Sequence, residues 1–250
     1  MLIKEVYNSH YTQRIVFLNP MGMDSSYWTD IVHVKEEFAE YELIFVDYPG
    51  YLDNKAEPED HFLNLVENLK IELEQLEQKE TFLIGCSYGG KVAMHLAEIY
   101  EVRNLILIGT PPNVEEEDLV YYKSLAEVLC KDLNEFSVKL IEYCYTEKER
   151  KENPFLAIMF LFYVKRHNLR EAIIRQLKHL TDTTKIVNNR LHPLIIVGKQ
   201  DVTLKKEYKK KILQIYPSCH FKEYEDFGHF TLNNNPKAIE IIKKALHHEQ

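Results

Sequence analysis

Five short runs of aliphatic and β-branched residues restrict what this chain can become: RIVFLN (14–19), ELIFVD (42–47), TFLIGC (81–86), NLILIG (104–109) and PLIIVG (193–198). None alternates apolar with polar, as a strand with one wet face would. Strands apolar on both faces belong in a parallel sheet covered by helices. Helical patterns lie between the runs. In 61–78, Phe62, Leu65, Val66, Leu69, Leu73 and Leu76 recur three and four apart, giving one stripe. Residues 88–100 and 236–248 also read as helices, the second with Asn235 as N-cap and Pro236 in its first turn. LIKEVY (2–7) and CHFKEYED (219–226) are expected as further, more amphipathic strands. The fold class expected is α/β, a doubly wound, mostly parallel sheet.

All eight glycines fall at or just past the C-terminal end of an expected strand. In open α/β sheets that edge binds the ligand, and there the backbone must turn tightly. The long connection between the fourth and fifth runs holds no glycine from 114 to 190 and far exceeds an ordinary crossover. Its content is helical over 118–145, 153–168 and 169–182. It reads as a helical cap (lid) inserted at 114–190 into a core domain of 1–113 and 191–250.

Composition narrows the function. A chain of 250 residues, 45% hydrophobic, suffices for one large α/β domain or two modest ones. A net charge of −8 argues against non-specific nucleic-acid binding. The one basic run, KKEYKKK (205–211), interleaves with Leu204, Tyr208, Ile212 and Ile215 and reads as the wet face of an amphipathic helix. The N-terminus has no basic stretch leading into an apolar one, so no secretory signal is expected. The apolar stretch 155–164 is too short to span a bilayer. Cys86, Cys130, Cys144 and Cys219 form no C-x-x-C pair and no cluster with histidine. Reduced thiols, a cytoplasmic location and no bound metal are expected.

Chemistry concentrates in GCSYGGK (85–91), which has two incompatible readings. As Gly85-x-Ser87-x-Gly89 it is a nucleophile elbow between strand and helix. As Gly85-x-x-x-x-Gly90-Lys91 it is most of a phosphate loop. The second reading lacks a hydroxyl at Val92 to hold Mg²⁺. Its base-recognition mimic, Gly198-Lys199-Gln200-Asp201, lacks the expected asparagine, and its D-x-x-G mimic at 47–50 precedes the loop instead of following it. The first reading requires a histidine to take the serine proton and an acid to orient that histidine. Asp201 follows PLIIVG and His229 follows FKEYED, each just past a strand and in the order serine, acid, histidine.

The motifs L-N-P-M-G-M-D-S-S-Y-W (18–28), V-D-Y-P-G-Y (46–51), G-C-S-Y-G-G (85–90), P-L-I-I-V-G-K-Q-D (193–201) and F-G-H-F (227–230) together resemble the α/β-hydrolase superfamily, specifically its capped single-domain esterase, lipase and C–C hydrolase branch. The resemblance spans essentially the whole chain. It implies a nucleophile at Ser87, a general base at His229 and an orienting acid at Asp201, with Asp226 as rival for the last role. It implies oxyanion-hole N–H groups at Tyr88 and Met21. There the chain departs from the family's usual H-G-x-G, carrying Asn19 and Pro20, and Pro20 removes one N–H while leaving that of Met21. Cys86 is expected as a buried inert thiol and Trp28 as core.

The implied activity is a serine hydrolase acting on a carboxylic ester or related acyl bond of a small apolar substrate, with neither metal nor organic cofactor. Two alternatives stay open: a C–C bond hydrolase or lyase with the same triad, and a slow-turnover ligand-binding or signalling protein. In the cap, 153–168 is apolar nearly all round, so Phe155, Met159, Phe160 and Phe162 are expected to roof a pocket favouring medium-chain or aromatic acyl groups. Oligomeric state and physiological substrate stay open.

Overall fold

All five apolar runs become strands of one sheet in a computed structural model, which describes residues 1–51, 54–186, 190–204 and 207–247. The strands are β1 (Ile3–Tyr7), β2 (Gln13–Leu18), β3 (Glu42–Val46), β4 (Glu80–Cys86), β5 (Asn104–Ile108), β6 (Leu194–Gly198) and β7 (His220–Tyr224). Their spatial order is β1-β3-β2-β4-β5-β6-β7, with β1 antiparallel to β3 and every other pairing parallel. Strands β3 and β6 are buried throughout, while β1 and β7, at the two edges, expose most of their residues. Runs apolar on both faces thus take the centre and amphipathic runs the edges.

The order also shows where the chain reverses. From β2 it passes to β3 on one side, then crosses back to β4 on the other. The C-terminal ends of β2 and β4 therefore flank a topological switch point, where such sheets bind ligands.

Helices α1 (Val34–Glu37), α2 (Phe62–Glu74) and α3 (Tyr88–Ile99) connect the first strands. Between β5 and β6 come α4 (Glu116–Lys131), α5 (Leu133–Cys144), α6 (Glu147–Glu152), α7 (Leu156–Arg166) and α8 (Arg170–Leu180), and α9 (Tyr208–Ile215) and α10 (Pro236–Leu246) complete the sheet's cover. In the long connection α4 packs on α5 and α8, and α5 on α7. The stretch 118–145 is two helices because the Asp132 carboxylate accepts hydrogen bonds from the N–H groups of Asn134 (2.8 Å) and Glu135 (3.1 Å), capping a new helix. A reciprocal capping box between Thr146 and Glu149 starts α6, which periodicity misses for want of an apolar stripe.

Trp28 is fully buried, its ring centre 5.1 Å from that of Phe17, in a π-type turn, Tyr27–Ile31. Lys205 and Lys206 of the basic run, 187–189 of the long connection, the last residue of the 236–248 helical reading and the two residues after it lie outside the described residues. All four cysteines are free thiols. No helix among the described residues is long and apolar enough to cross a membrane.

Candidate active site

Ser87 sits between β4 and α3 with φ 53° and ψ −114°, a conformation that L-residues rarely adopt. Its N–H donates to the Ile108 carbonyl of β5 (2.9 Å), and its carbonyl accepts from Lys91 N–H (3.1 Å) as α3 begins. Only glycine leaves room for this turn. A β-carbon on Gly85 would lie 2.5 Å from the Gly89 carbonyl oxygen, one on Gly89 2.0 Å from the Leu18 carbonyl oxygen, and one on Gly90 1.7 Å from Thr110 Oγ1. The three glycines therefore let α3 start hard against the ends of β2 and β5, which holds Ser87 up at the sheet edge.

His229 follows β7, and its N–H donates to the Cys144 carbonyl of α5 (3.1 Å). Its Nδ1 lies 2.9 Å from Asp201 Oδ2, and both side chains are buried. A carboxylate only accepts, so Nδ1 carries the proton and Nε2 is the basic nitrogen. The other Asp201 oxygen, Oδ1, accepts from Thr203 N–H (2.8 Å), and Thr203 Oγ1 lies 3.0 Å from the same His229 Nδ1. Asp226 is exposed in the turn after β7, and among the described residues no hydrogen bond joins it to His229.

The N–H groups of Met21 and Tyr88 have no hydrogen-bond partner among the described residues. Two small cavities meet at Ser87, Met21 and His229. One, of about 30 Å³, is lined also by Met23, Leu140, Cys144, Phe160 and Phe230. The other, of about 40 Å³, is lined also by Pro111, Tyr121, Tyr122, Tyr143, Leu180 and Thr203. Among their lining residues none carries a fixed charge. A roomier depression of about 700 Å³ lies at the opposite, N-terminal edge of the sheet, lined by residues such as Lys79, Glu80 and Arg103, away from this chemistry.

Of the four residues of 153–168 expected at the pocket, only Phe160 reaches it. Phe155, Met159 and Phe162 are each about 65% exposed. They share a face with Ile158 at helical spacing, opposite Phe160 and Val164, which are buried. The periodicity of an all-apolar helix does not say which face turns inward. Thr203, Leu140 and Cys144 also belong to the site, and of these only Thr203, two residues past Asp201, stood near a recognisable signal.

Cys86 is not held as a thiolate: burial pushes its thiol up to about 12, and Tyr27 Oη donates to Sγ across 3.8 Å. Nor does Lys91 face a phosphate loop. Its buried ammonium donates to the carbonyls of His179 (2.9 Å) and Asp182 (2.8 Å) and lies 4.7 Å from the Phe62 ring centre. Burial lowers it to about 8, although the Asp182 charge pulls the other way.

The same burial holds His95 and His179 down to about 4, with Lys91 adding to the effect at both. The unfolded chain binds these protons nearer the ordinary histidine value, so stability is full above it and falls as pH drops towards 4. Each histidine should cost on the order of 2 kcal/mol between pH 7 and pH 5. Urea unfolding at both pH values checks this, and His95→Phe should remove about half of the loss, leaving the share of His179.

Residues 13–140, just over half of the chain, match the family model described as alpha/beta hydrolase fold. A pimeloyl-[acyl-carrier protein] methyl ester esterase of Wigglesworthia glossinidia brevipalpis is 26% identical over 185 residues, covering 70% of this chain and 66% of that protein. A 2-succinyl-6-hydroxy-2,4-cyclohexadiene-1-carboxylate synthase of Escherichia coli O8 (strain IAI1) is 35% identical over 83 residues, covering 33% of this chain and 32% of that protein. The chain thus spans just under two thirds of the first relative and about a third of the second. Among solved structures, the alpha/beta hydrolase MGS-M2 from a Medee basin deep-sea metagenome library superposes with a TM-score of 0.84 at 17% identity, covering 98% of this chain and 94% of that one. MenH from S. aureus superposes with a TM-score of 0.76 at 22% identity over the full length of both chains. These structural likenesses are likenesses of fold. With the matched family model, the sheet order and the glycine-built turn after β4 in agreement, the chain belongs to the alpha/beta-hydrolase family.

Proposed function

We propose that this protein is a serine hydrolase of small, uncharged carboxylic esters or closely related acyl compounds. The observation that carries the reading is the shared cavity wall. Ser87 on its strained turn and His229, paired with buried Asp201, line the same two cavities. Ser87 Oγ attacks the acyl carbon while His229 Nε2 takes its proton, and Asp201 holds Nδ1–H and stabilises the imidazolium. The N–H groups of Met21 and Tyr88 receive the charge that develops on the carbonyl oxygen. His229 then protonates the leaving alcohol, and water, deprotonated by the same nitrogen, releases the acid. The helices of 114–190 act as a cap, contributing Leu140, Cys144, Phe160 and Leu180 to the walls.

Two properties of those walls set the substrate class. A carboxylate pressed among Met, Leu, Phe and Tyr with no cation would lose its hydration without compensation. Each cavity has room for only a few water-sized groups. That space suits a short acyl chain better than a long one. This replaces the expectation of medium-chain or aromatic preference, because most of the α7 side chains behind it face away from the site. The ester cleavage named for the Wigglesworthia relative is compatible with this chemistry. The uncharged walls weigh against a substrate as rich in carboxyl groups as the compound named for the Escherichia coli relative.

The test is a series of p-nitrophenyl esters under steady turnover. Acetate and butyrate should turn over many times per enzyme and exceed octanoate in kcat/KM. A succinate half-ester should trail butyrate by about 100-fold or more, the order of a few kcal/mol for burying an unpaired charge. A single turnover followed by arrest would instead make the protein a receptor with a hydrolase fold, and a succinyl preference would overturn the substrate class.

A further inference from the structure

Helix α8 touches both halves of the site that would hold the oxyanion. On one side, Gly22 N–H, one peptide beyond Met21, is shared between Gln176 Oε1 (3.0 Å) and Tyr51 Oη (3.1 Å), and Tyr51 Oη itself donates to Gln176 Oε1 (2.6 Å). Gly22 has φ +80°, and the Phe160 ring lies 3.0 Å from where its β-carbon would be. Met21 is therefore bracketed by the rigid ring of Pro20 and by a peptide tied to α8. On the other side, Tyr88 Oη lies 2.7 Å from His179 Nδ1. His179 Nε2 lies 2.8 Å from the Glu59 carbonyl, which can only accept. The proton is therefore on Nε2, and Nδ1 is left to accept from Tyr88. The Lys91 bonds to the carbonyls of His179 and Asp182 fasten the same end of α8 to α3.

Gln176, His179 and Tyr51 are all buried, so these bonds are not diluted by solvent. They are also specific in a way apolar packing is not. An amide oxygen and a ring nitrogen, three residues apart on one face of one helix, meet respectively the peptide N–H that follows Met21 and the side-chain hydroxyl of Tyr88.

We propose that α8 sets the geometry of the oxyanion hole, with Gln176 and His179 as positioning residues for the Met21 and Tyr88 N–H groups. The proposal rests on the reading of Ser87 as nucleophile and of those two N–H groups as its oxyanion donors. Neither Gln176 nor His179 touches substrate. Each acts through a neighbour, and Leu180, the residue after His179, lines the 40 Å³ cavity beside Ser87. The helix that orients the donors therefore also presents a wall to the substrate.

Oxyanion donors act mainly in the transition state, so displacing them lowers kcat and kcat/KM together and leaves KM nearly unchanged. The test uses the full chain with p-nitrophenyl acetate. The active fraction of each variant is counted by fluorophosphonate titration, so that misfolded protein does not enter kcat. Gln176→Met and His179→Leu should each lower kcat about 10- to 100-fold, below the full loss of one donor. Tyr88→Phe should match His179→Leu, and the double variant should be no slower than either alone, because both remove one hydrogen bond. His179→Asn, whose Oδ1 can accept where Nδ1 does, should recover most of the rate.

A KM-only effect, a lowered melting temperature with unchanged kcat, or additive losses in the Tyr88/His179 pair would each overturn the proposal while turnover remained dependent on Ser87. Wild-type turnover that survived Ser87→Ala would remove the underlying reading, and the proposal with it.

Discussion

Asp201→Asn should lower kcat by about 10³–10⁴-fold, while Asp226→Asn should change it by less than a few-fold. The difference follows from which carboxylate holds the histidine. Asp201 Oδ2 is 2.9 Å from His229 Nδ1, with both side chains buried, so the charge that forms on the ring during attack is stabilised at close range. Asparagine keeps the shape. It removes the negative charge and can turn its amide nitrogen towards Nδ1, which favours the tautomer with the proton on Nε2, where the serine proton must go. Thr203 Oγ1, 3.0 Å from Nδ1, can accept a hydrogen bond but supplies no charge, so it does not rescue the variant. Asp226, exposed in the turn after β7, has no comparable contact among the described residues. Steady-state kinetics of both variants decide the matter. Reversed losses would make Asp226 the acid and put the His229 ring in a different orientation.

What could be read from the sequence divides along a physical line. Strands such as LIFV in β3 and LIIV in β6 are apolar on both faces, and only a covered parallel sheet satisfies that, so the layer order was visible before any contact was known. The elbow was visible because three glycines within six residues answer three steric limits, each set by backbone or a neighbouring strand end. Asp201 and His229 were visible because strand ends in such a sheet converge on one edge.

The inward face of α7 was not visible. Phe155, Ile158, Met159 and Phe162 on one face are as apolar as Phe160 and Val164 on the other, and a helical period has phase but no sign. The division of 118–145 left only Asp132 as a trace, an acid that caps a helix as readily as it sits exposed on one. Least visible was the pairing of Tyr88 with His179, separated by 91 residues, because the fold of the intervening helices alone brings them together.

Ser87→Ala should abolish both turnover and fluorophosphonate labelling, with kcat falling by about 10⁶-fold, as expected when a triad acting as a unit loses its nucleophile. The variant should stay folded. Alanine carries the same β-carbon as serine at φ 53°, and among the described residues the Ser87 hydroxyl has no hydrogen bond whose loss would strand a partner. The two thiols nearest the reaction, Cys86 beside Ser87 and Cys144 on the cavity wall, are both held protonated. Burial pushes Cys86 up to about 12, and it pushes Cys144, on the cavity wall, well above its ordinary value, with Asp201 adding to the effect at each. A thiol that does not ionise is a poor substitute attacker, so label should not move from the serine to a cysteine next to it. Mass spectrometry of labelled wild type should therefore place the phosphonate on Ser87 alone, and the variant should show none. Persistent labelling of the variant at Cys86 or Cys144 would show that the site activates thiols despite their burial. Labelling at another serine would mean that the strained turn after β4 shapes the sheet edge without supplying the nucleophile.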